Sequence, residues 1–326
     1  MLSHIIGPVN VPADAPSIAG FLAWDPQPIP VLPIIAIVLA AAYVVGFVRL
    51  RRQRRRWPVW RAVSFLLGCA FLFLVTGLAI EGYGLRMFSV FVFQQMTLMI
   101  VVPPMLVLGS PGRLLLRATP HTGAGIVLLR AAIWGLRSRI SRALLHPVLV
   151  IPLLAATLFG LYLTGIADLL LRSWVGHVSI EIAFLVIGVI LAIPLVSAGP
   201  LPIRVSYPAR AFDAFVEMQA HAAFGLVLTL STTPFVPFFA ALPPEWGLDP
   251  MTDQRWAGVV AWVYGEIPII VILIATLARW SRQESRRAPR ERAREDREMD
   301  AYNEYLQSLH SGSDPNLSTN KKEDTR

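Results

Sequence analysis

The chain has 326 residues, of which 55% are hydrophobic and 15% charged, and its formal net charge is +8. With a mean hydropathy of +0.58 and a pI near 10.2, that balance excludes an ordinary soluble domain and points to an integral membrane protein. The arginine excess suits loops facing anionic lipid, so the lipid bilayer is an expected partner and nucleic acid is not.

Residues 1–30 read as an outer amino-terminal tail. Met1 to Gly20 has no basic n-region and is interrupted by Pro8, Pro12 and Pro16, which is not the pattern of a signal peptide. Trp24 is placed as an interfacial anchor. Seven apolar segments follow, at about 31–49, 61–80, 88–109, 147–166, 178–197, 212–233 and 257–279. Each approaches the ~20 apolar residues that cross a ~30 Å hydrocarbon core. The predicted fold class is therefore all-α, an integral membrane bundle of seven transmembrane helices within a domain of residues 31–280.

Charge in the loops alternates. The loop after the first segment carries Arg49, Arg51, Arg52, Arg54, Arg55, Arg56 and Arg61 with no acid, and the loop after the third carries six further arginines with no acid. The intervening loops hold Glu81 and Arg86, then Asp168 and Arg172, then Glu245, Asp249, Asp253 and Arg255. By the positive-inside rule the amino terminus is outside and the carboxyl terminus cytoplasmic. The run 123–136 is too short and too arginine-flanked to span, and is placed as a helix in the inner interface. Residues 281–326 read as a charged cytoplasmic tail, helical over 281–309 and disordered over 310–326. Cys69, inside the second segment, is the only cysteine, so neither an internal disulfide nor a CxxC motif exists.

Chemistry must come from the few polar groups inside the spans, because placing them in lipid is costly. Gln94 and Gln95 lie roughly 10 Å below the outer end of the third segment at ~1.5 Å per residue, in a region shared with Met87, Met96 and Met99. His177 and Glu181 form an i,i+4 pair at the outer start of the fifth. The sixth carries Asp213, Glu217 and His221 at spacings of four. Glu266 in the seventh matches the depth of His221, and a His221–Glu266 contact is the natural inference. His177, Glu181 and Met96 together form a candidate metal site: thioether suits Cu(I) and imidazole suits either copper state, so transient copper is the expected cofactor. No span or outer loop offers a nucleophile with a base at helical spacing, and no HExxH motif occurs, so an enzyme is not expected.

The string FQQMTLMIVVPPMLVLGSPGRLLLRA, residues 93–118, resembles the CtaG-type cytochrome c oxidase assembly proteins, whose pattern is an HMxQHMLLM-like helix, then PPLLVLGxP, then a basic loop. Further tokens follow in the family's order: Trp24-Asp25-Pro26, His177, Gly199-Pro200, SYPAR at 206–210, His221, Asp253-Gln254, and Trp262 with Gly265-Glu266-Ile267-Pro268 before Trp280. The matched polar positions are Gln94, His177, His221, Asp253, Gln254 and Glu266. Where the pattern has two histidines in the third span this chain has Phe91 and Gln95, and where a second histidine is usual in the fifth it has Glu181. The resemblance implies a multi-pass protein of the bacterial plasma membrane. Its expected role is an assembly factor for cytochrome c oxidase that serves a nascent subunit as scaffold or copper-delivery helper. The lost histidines favour the scaffold. The alternative is a transporter or permease using midplane His221 and Glu266.

Overall fold

The computed structural model describes residues 5–120, 122–196 and 205–312. Lipid cannot hydrogen-bond exposed peptide groups, so apolar runs of this kind close their backbone bonds internally as helices. The described residues contain no β-strand, and a lone bridge joins Ile6 to Ser173. The long helices are α1 (Val31–Arg52) and α2 (Val59–Gly77). In α3, Phe88–Met96 continues through a π turn at Thr97–Val101 into Val102–Leu108. In α4, Pro147–Ala155 continues through a π turn at Ala156–Gly160 into Leu161–Leu163. Next come α5 (Trp174–Val196) and α6 (Tyr207–Leu230). In α7, Pro250–Val259 passes a π turn at Val260–Tyr264 into Gly265–Gly312.

Each of the seven predicted segments falls largely on one of these helices. Among the described residues, five stretches are long and apolar enough to cross a bilayer: Val31–Arg52, Val59–Gly77, Phe88–Ala118, Trp174–Val196 and Pro250–Ser285. Several such helices make this a membrane protein. The other two segments differ for physical reasons. The apolar part of α4 covers only Leu149–Leu163. In α6, Asp213, Glu217 and His221 lower the hydropathy of an otherwise sufficient helix of 24 residues. The run expected at the inner interface is helical over Ala124–Arg137, with Val127 and Trp134 exposed.

Within residues 1–274, α3 is the central helix, packed by α2, α5 and α7, while α1 packs on α2, and α6 on α4 and α7. Its π turn has a local cause. Pro103 lacks an N–H, and its ring would meet the Met99 carbonyl of a regular helix, so the turn before it widens. Pro268 stands in the same relation to Tyr264 in α7. The α6–α7 crossing is close because a Cβ on Gly225 would stand 2.6 Å from the Gly258 carbonyl, and only small residues allow that approach. At the arginine-rich end, the Tyr43 hydroxyl donates to the Gly109 carbonyl at 2.8 Å and Trp57 Nε1 donates to Tyr43 at 3.1 Å. The Arg61 and Arg117 guanidinia lie over the Trp57 ring.

At the opposite end the amino-terminal segment is strapped down. Ile6 bonds Arg172 and Trp174 through the backbone, Asn10 and Gln27 exchange two hydrogen bonds of 2.8 Å, and Trp246 Nε1 donates to the Ala13 carbonyl at 2.9 Å. Residues 275–326 form a separate unit, described as far as Gly312 and helical throughout, with an exposed Arg294–Glu298 pair at 2.7 Å. The helix thus runs beyond the expected limit at 309. The remainder of the predicted disordered tail lies outside the described residues, as does Gly199-Pro200.

Candidate functional site

Between α2 and α3 the chain makes the short helical turn Ile80–Gly84, and this turn carries Glu81 into the protein at 3% exposure. Glycine is required there, because a Cβ at Gly84 would overlap the Gln94 side-chain amide and one at Gly82 would stand 2.8 Å from the Asn10 carbonyl. Glutamine 94, in the first half of α3, donates from Nε2 to Glu81 Oε2 at 2.7 Å and to the Val75 carbonyl at 2.9 Å. It thereby fixes one oxygen of Glu81 and turns the other toward α5.

Helix α5 begins at Trp174, so His177 and Glu181 lie one turn apart on its buried face. His177 Nε2 stands 2.7 Å from Glu81 Oε1 and 3.8 Å from Glu181 Oε1. One donor atom from each of the three side chains lies within 4.8 Å of the others. His177 Nδ1 and Glu181 Oε1 have no hydrogen-bond partner among the described residues. Beside the triad is a cavity of about 10 Å³, lined also by Gln27, Thr76 and Trp174, which is room for roughly one water-sized body. The inner wall is aromatic: the Phe91 ring lies 6.2 Å from the imidazole of His177 and 5.5 Å from the Phe239 ring. Tyr83 in the same turn packs on Phe21 and Trp246, and burial pushes its phenol above the ordinary range, with Asp14 adding to the effect.

Two buried carboxyls this close repel each other when both are ionised, so the group calls for positive charge, from a proton or from a cation. Its donors are one imidazole nitrogen and carboxylate oxygens. Phe91 lies on one side of it, and Val9, Gln27 and Ile29 of the amino-terminal segment line the adjoining cavity.

The other sequence-predicted residues lie elsewhere or hold structure. Met96 stands apart from the triad: its sulfur lies 3.3 Å from the point where a Cβ on Gly265 would be, and His221 Cδ2 lies 3.4 Å from the same point. The expected His221–Glu266 contact is not made. His221 Nδ1 lies 2.7 Å from the Glu217 carbonyl of its own helix, and its Nε2 has no hydrogen-bond partner among the described residues. Because a carbonyl only accepts, Nδ1 carries the proton, and a ring bonded within α6 leaves the half-buried Glu266 without it. Gln95 accepts from the Tyr162 hydroxyl. Asp253 caps α3: its carboxylate accepts from the Phe88 N–H at 2.6 Å, from the Ser89 N–H and from the Ser89 hydroxyl. Gln254 ties the α6–α7 connection, accepting from the Phe235 N–H at 2.7 Å and donating to the Thr233 carbonyl at 3.1 Å.

Glu81 is the residue that sequence reasoning missed, having placed it as a loop charge. The signal available was its setting in Ile80-Glu81-Gly82-Tyr83-Gly84, a lone acid between an apolar span and two glycines.

A family model described as cytochrome c oxidase caa3 assembly factor (Caa3_CtaG) matches residues 41–283. An uncharacterized protein of Mycobacterium bovis is 34% identical over 316 residues, covering 89% of this chain and 48% of the relative. One of Mycobacterium leprae is 36% identical over 282 residues, covering 84% and 43%. The chain thus spans about half the length of the curated relatives it matches. No solved structure matches it.

Proposed function

This chain belongs to the cytochrome c oxidase caa3 assembly factor family, and from that membership we propose that it serves as a scaffold for a nascent oxidase subunit in the bacterial plasma membrane. It crosses the bilayer seven times with the amino terminus outside and the carboxyl terminus cytoplasmic, and it acts by binding its client, not by catalysing a reaction. The observation that carries this reading is the Glu81–His177–Glu181 triad: three ionisable side chains from two elements, buried together under the strapped amino-terminal segment. Ionisable groups are rarely kept at such depth without a function.

The decisive experiment is complementation of a deletion strain, with assembled oxidase read from its haem spectrum. Glu181→Gln and His177→Ala should lower assembled oxidase while the protein itself accumulates normally; full assembly with both would sink the scaffold reading. Topology is tested by labelling intact cells that carry Glu245→Cys or Thr122→Cys, of which only the first should react.

A second reading, transient copper handling, is favoured by the proximity of the donors. Phe91 faces His177 across 6.2 Å between ring centres, so Phe91→His with Gln95→His should tighten copper retention on dialysis relative to the unmodified chain. The transporter alternative loses its motivating contact, since His221 is bonded within α6 and not to Glu266.

A further inference from the structure

We infer that Glu81, His177 and Glu181 form a site for one divalent cation of borderline hardness, of the Zn(II) or Cu(II) kind, in preference to Cu(I). The inference rests on reading the triad as the working centre, and not on which protein that centre serves.

The donor set points to this class. Three protein ligands come together: one imidazole from α5, one carboxylate from α5 and one from the turn Ile80–Gly84. Two carboxylates and an imidazole are a hard-to-borderline set, whereas Cu(I) selects thiolate and thioether. The thioether that would have softened the site, Met96, lies against Gly265 instead. Charge points the same way, because two adjacent carboxylates and one neutral imidazole neutralise a dication and overcompensate a monovalent ion.

The geometry is close to that of a bound state. Tetrahedral ligands about 2.1 Å from zinc lie about 3.3–3.5 Å apart. The observed separations from His177 Nε2 are 2.7 Å to Glu81 and 3.8 Å to Glu181, so each changes by less than an ångström, and all donors already lie within 4.8 Å. Glu181 Oε1 is buried, lacks a hydrogen-bond partner and is one of the atoms aimed into the group. Ligation at Nε2 moves its proton to Nδ1, which has no partner to give up. Support around the ligands is also present: Gln94 Nε2 holds the second oxygen of Glu81 at 2.7 Å, the kind of outer contact that orients metal-bound carboxylates. The fourth position falls to water or to an incoming oxygen donor, since Thr76 already donates to the Leu72 carbonyl and the Gln27 amide is committed to Asn10. The adjoining cavity of about 10 Å³ provides that room.

The test uses full-length protein in lipid nanodiscs, stripped by chelator and titrated separately with Zn(II), Cu(II) and Cu(I) against competing chelators. Zn(II) and Cu(II) should each bind at one per chain, and Cu(I) at least about tenfold more weakly. Glu181→Gln should weaken Zn(II) by about 10–100-fold, with Glu181→Asp intermediate should the glutamine variant fail to fold. His177→Ala should remove the single imidazole nitrogen coupling from the Cu(II) paramagnetic resonance spectrum, and His221→Ala should leave that spectrum unchanged. The proposal is overturned by no divalent ion held at one per chain, by unchanged affinity in both Glu181 variants, or by preference for Cu(I). Lost oxidase assembly has no bearing on these readouts, and one metal per chain in the unmodified protein together with normal assembly in the triad variants would count against the scaffold alone.

Discussion

Two clusters of buried ionisable side chains among the described residues are built in opposite ways. Asp213, Glu217 and His221 repeat every fourth residue on one helix, and the bond made by His221 closes on that same helix. Glu81, His177 and Glu181 come from a turn and a helix nearly a hundred residues apart, are joined side chain to side chain, and are backed by Gln94 from a third element. The first group is a local ladder. The second is a convergence, and only a convergence makes each member's loss expensive to the others. Variants of the triad should therefore be coupled across elements, and variants of the ladder should not.

The largest effect is expected from Glu81→Leu. It removes the acceptor from two buried donors, His177 Nε2 and Gln94 Nε2, and each unsatisfied buried donor costs about 1–3 kcal/mol. A marked fall in the thermal unfolding midpoint of the purified protein is the readout. Glu81→Gln keeps an acceptor for one donor and should fall between Leu and the native residue. Equal midpoints for Leu and Gln would mean that the triad is not held by these bonds.

Next comes Gly84→Ala. The added methyl would overlap the Gln94 amide, and overpacking of this kind costs about 1–3 kcal/mol. Pairing it with Gln94→Ala, which vacates the space, should recover part of the loss. This pair also shows where the sequence was readable. The seven helical segments followed from apolar length, and the alternation of arginine marked one end, because lipid imposes both on composition. The His177–Glu181 pair followed from helical spacing. Glu81 did not, because its burial depends on Gly84 admitting the Gln94 side chain of α3 and on Gly82 admitting the amino-terminal segment, and no local periodicity records that. Met96 was assigned to the wrong neighbours for the same reason: depth along α3 was legible, but the face of the helix was not.

A smaller loss is expected from Asp253→Ala. Asp253 was noticed as a matched position, yet its bonds are those of a helix cap, accepting from the first two N–H groups of α3. Cap removal costs about 0.5–2 kcal/mol. Asp253→Asn, which still accepts, should cost less. Because α3 also supplies Gln94, the Ala variant should lower Zn(II) affinity slightly while leaving one site per chain. Complete loss of binding would make Asp253 part of the site and not only of its support.

The smallest expected effect is the coupling between His221 and Glu266. Matched depth led to the expectation of a contact, but depth fixes only one of the two coordinates that place a side chain on a helix. The structure supplies the other. Nδ1 of His221 is committed to the Glu217 carbonyl at 2.7 Å, and Nε2 has no hydrogen-bond partner among the described residues, so neither nitrogen has a bond that Glu266 could lose. In a cycle of His221→Phe, Glu266→Gln and the double variant, the midpoint shifts should therefore add, with an interaction term within about 0.5 kcal/mol. The same cycle on Glu81→Gln and His177→Phe should depart from additivity, since those side chains stand 2.7 Å apart. A large term for the first pair and none for the second would invert the contrast between ladder and convergence, and with it the choice of the triad as the working centre.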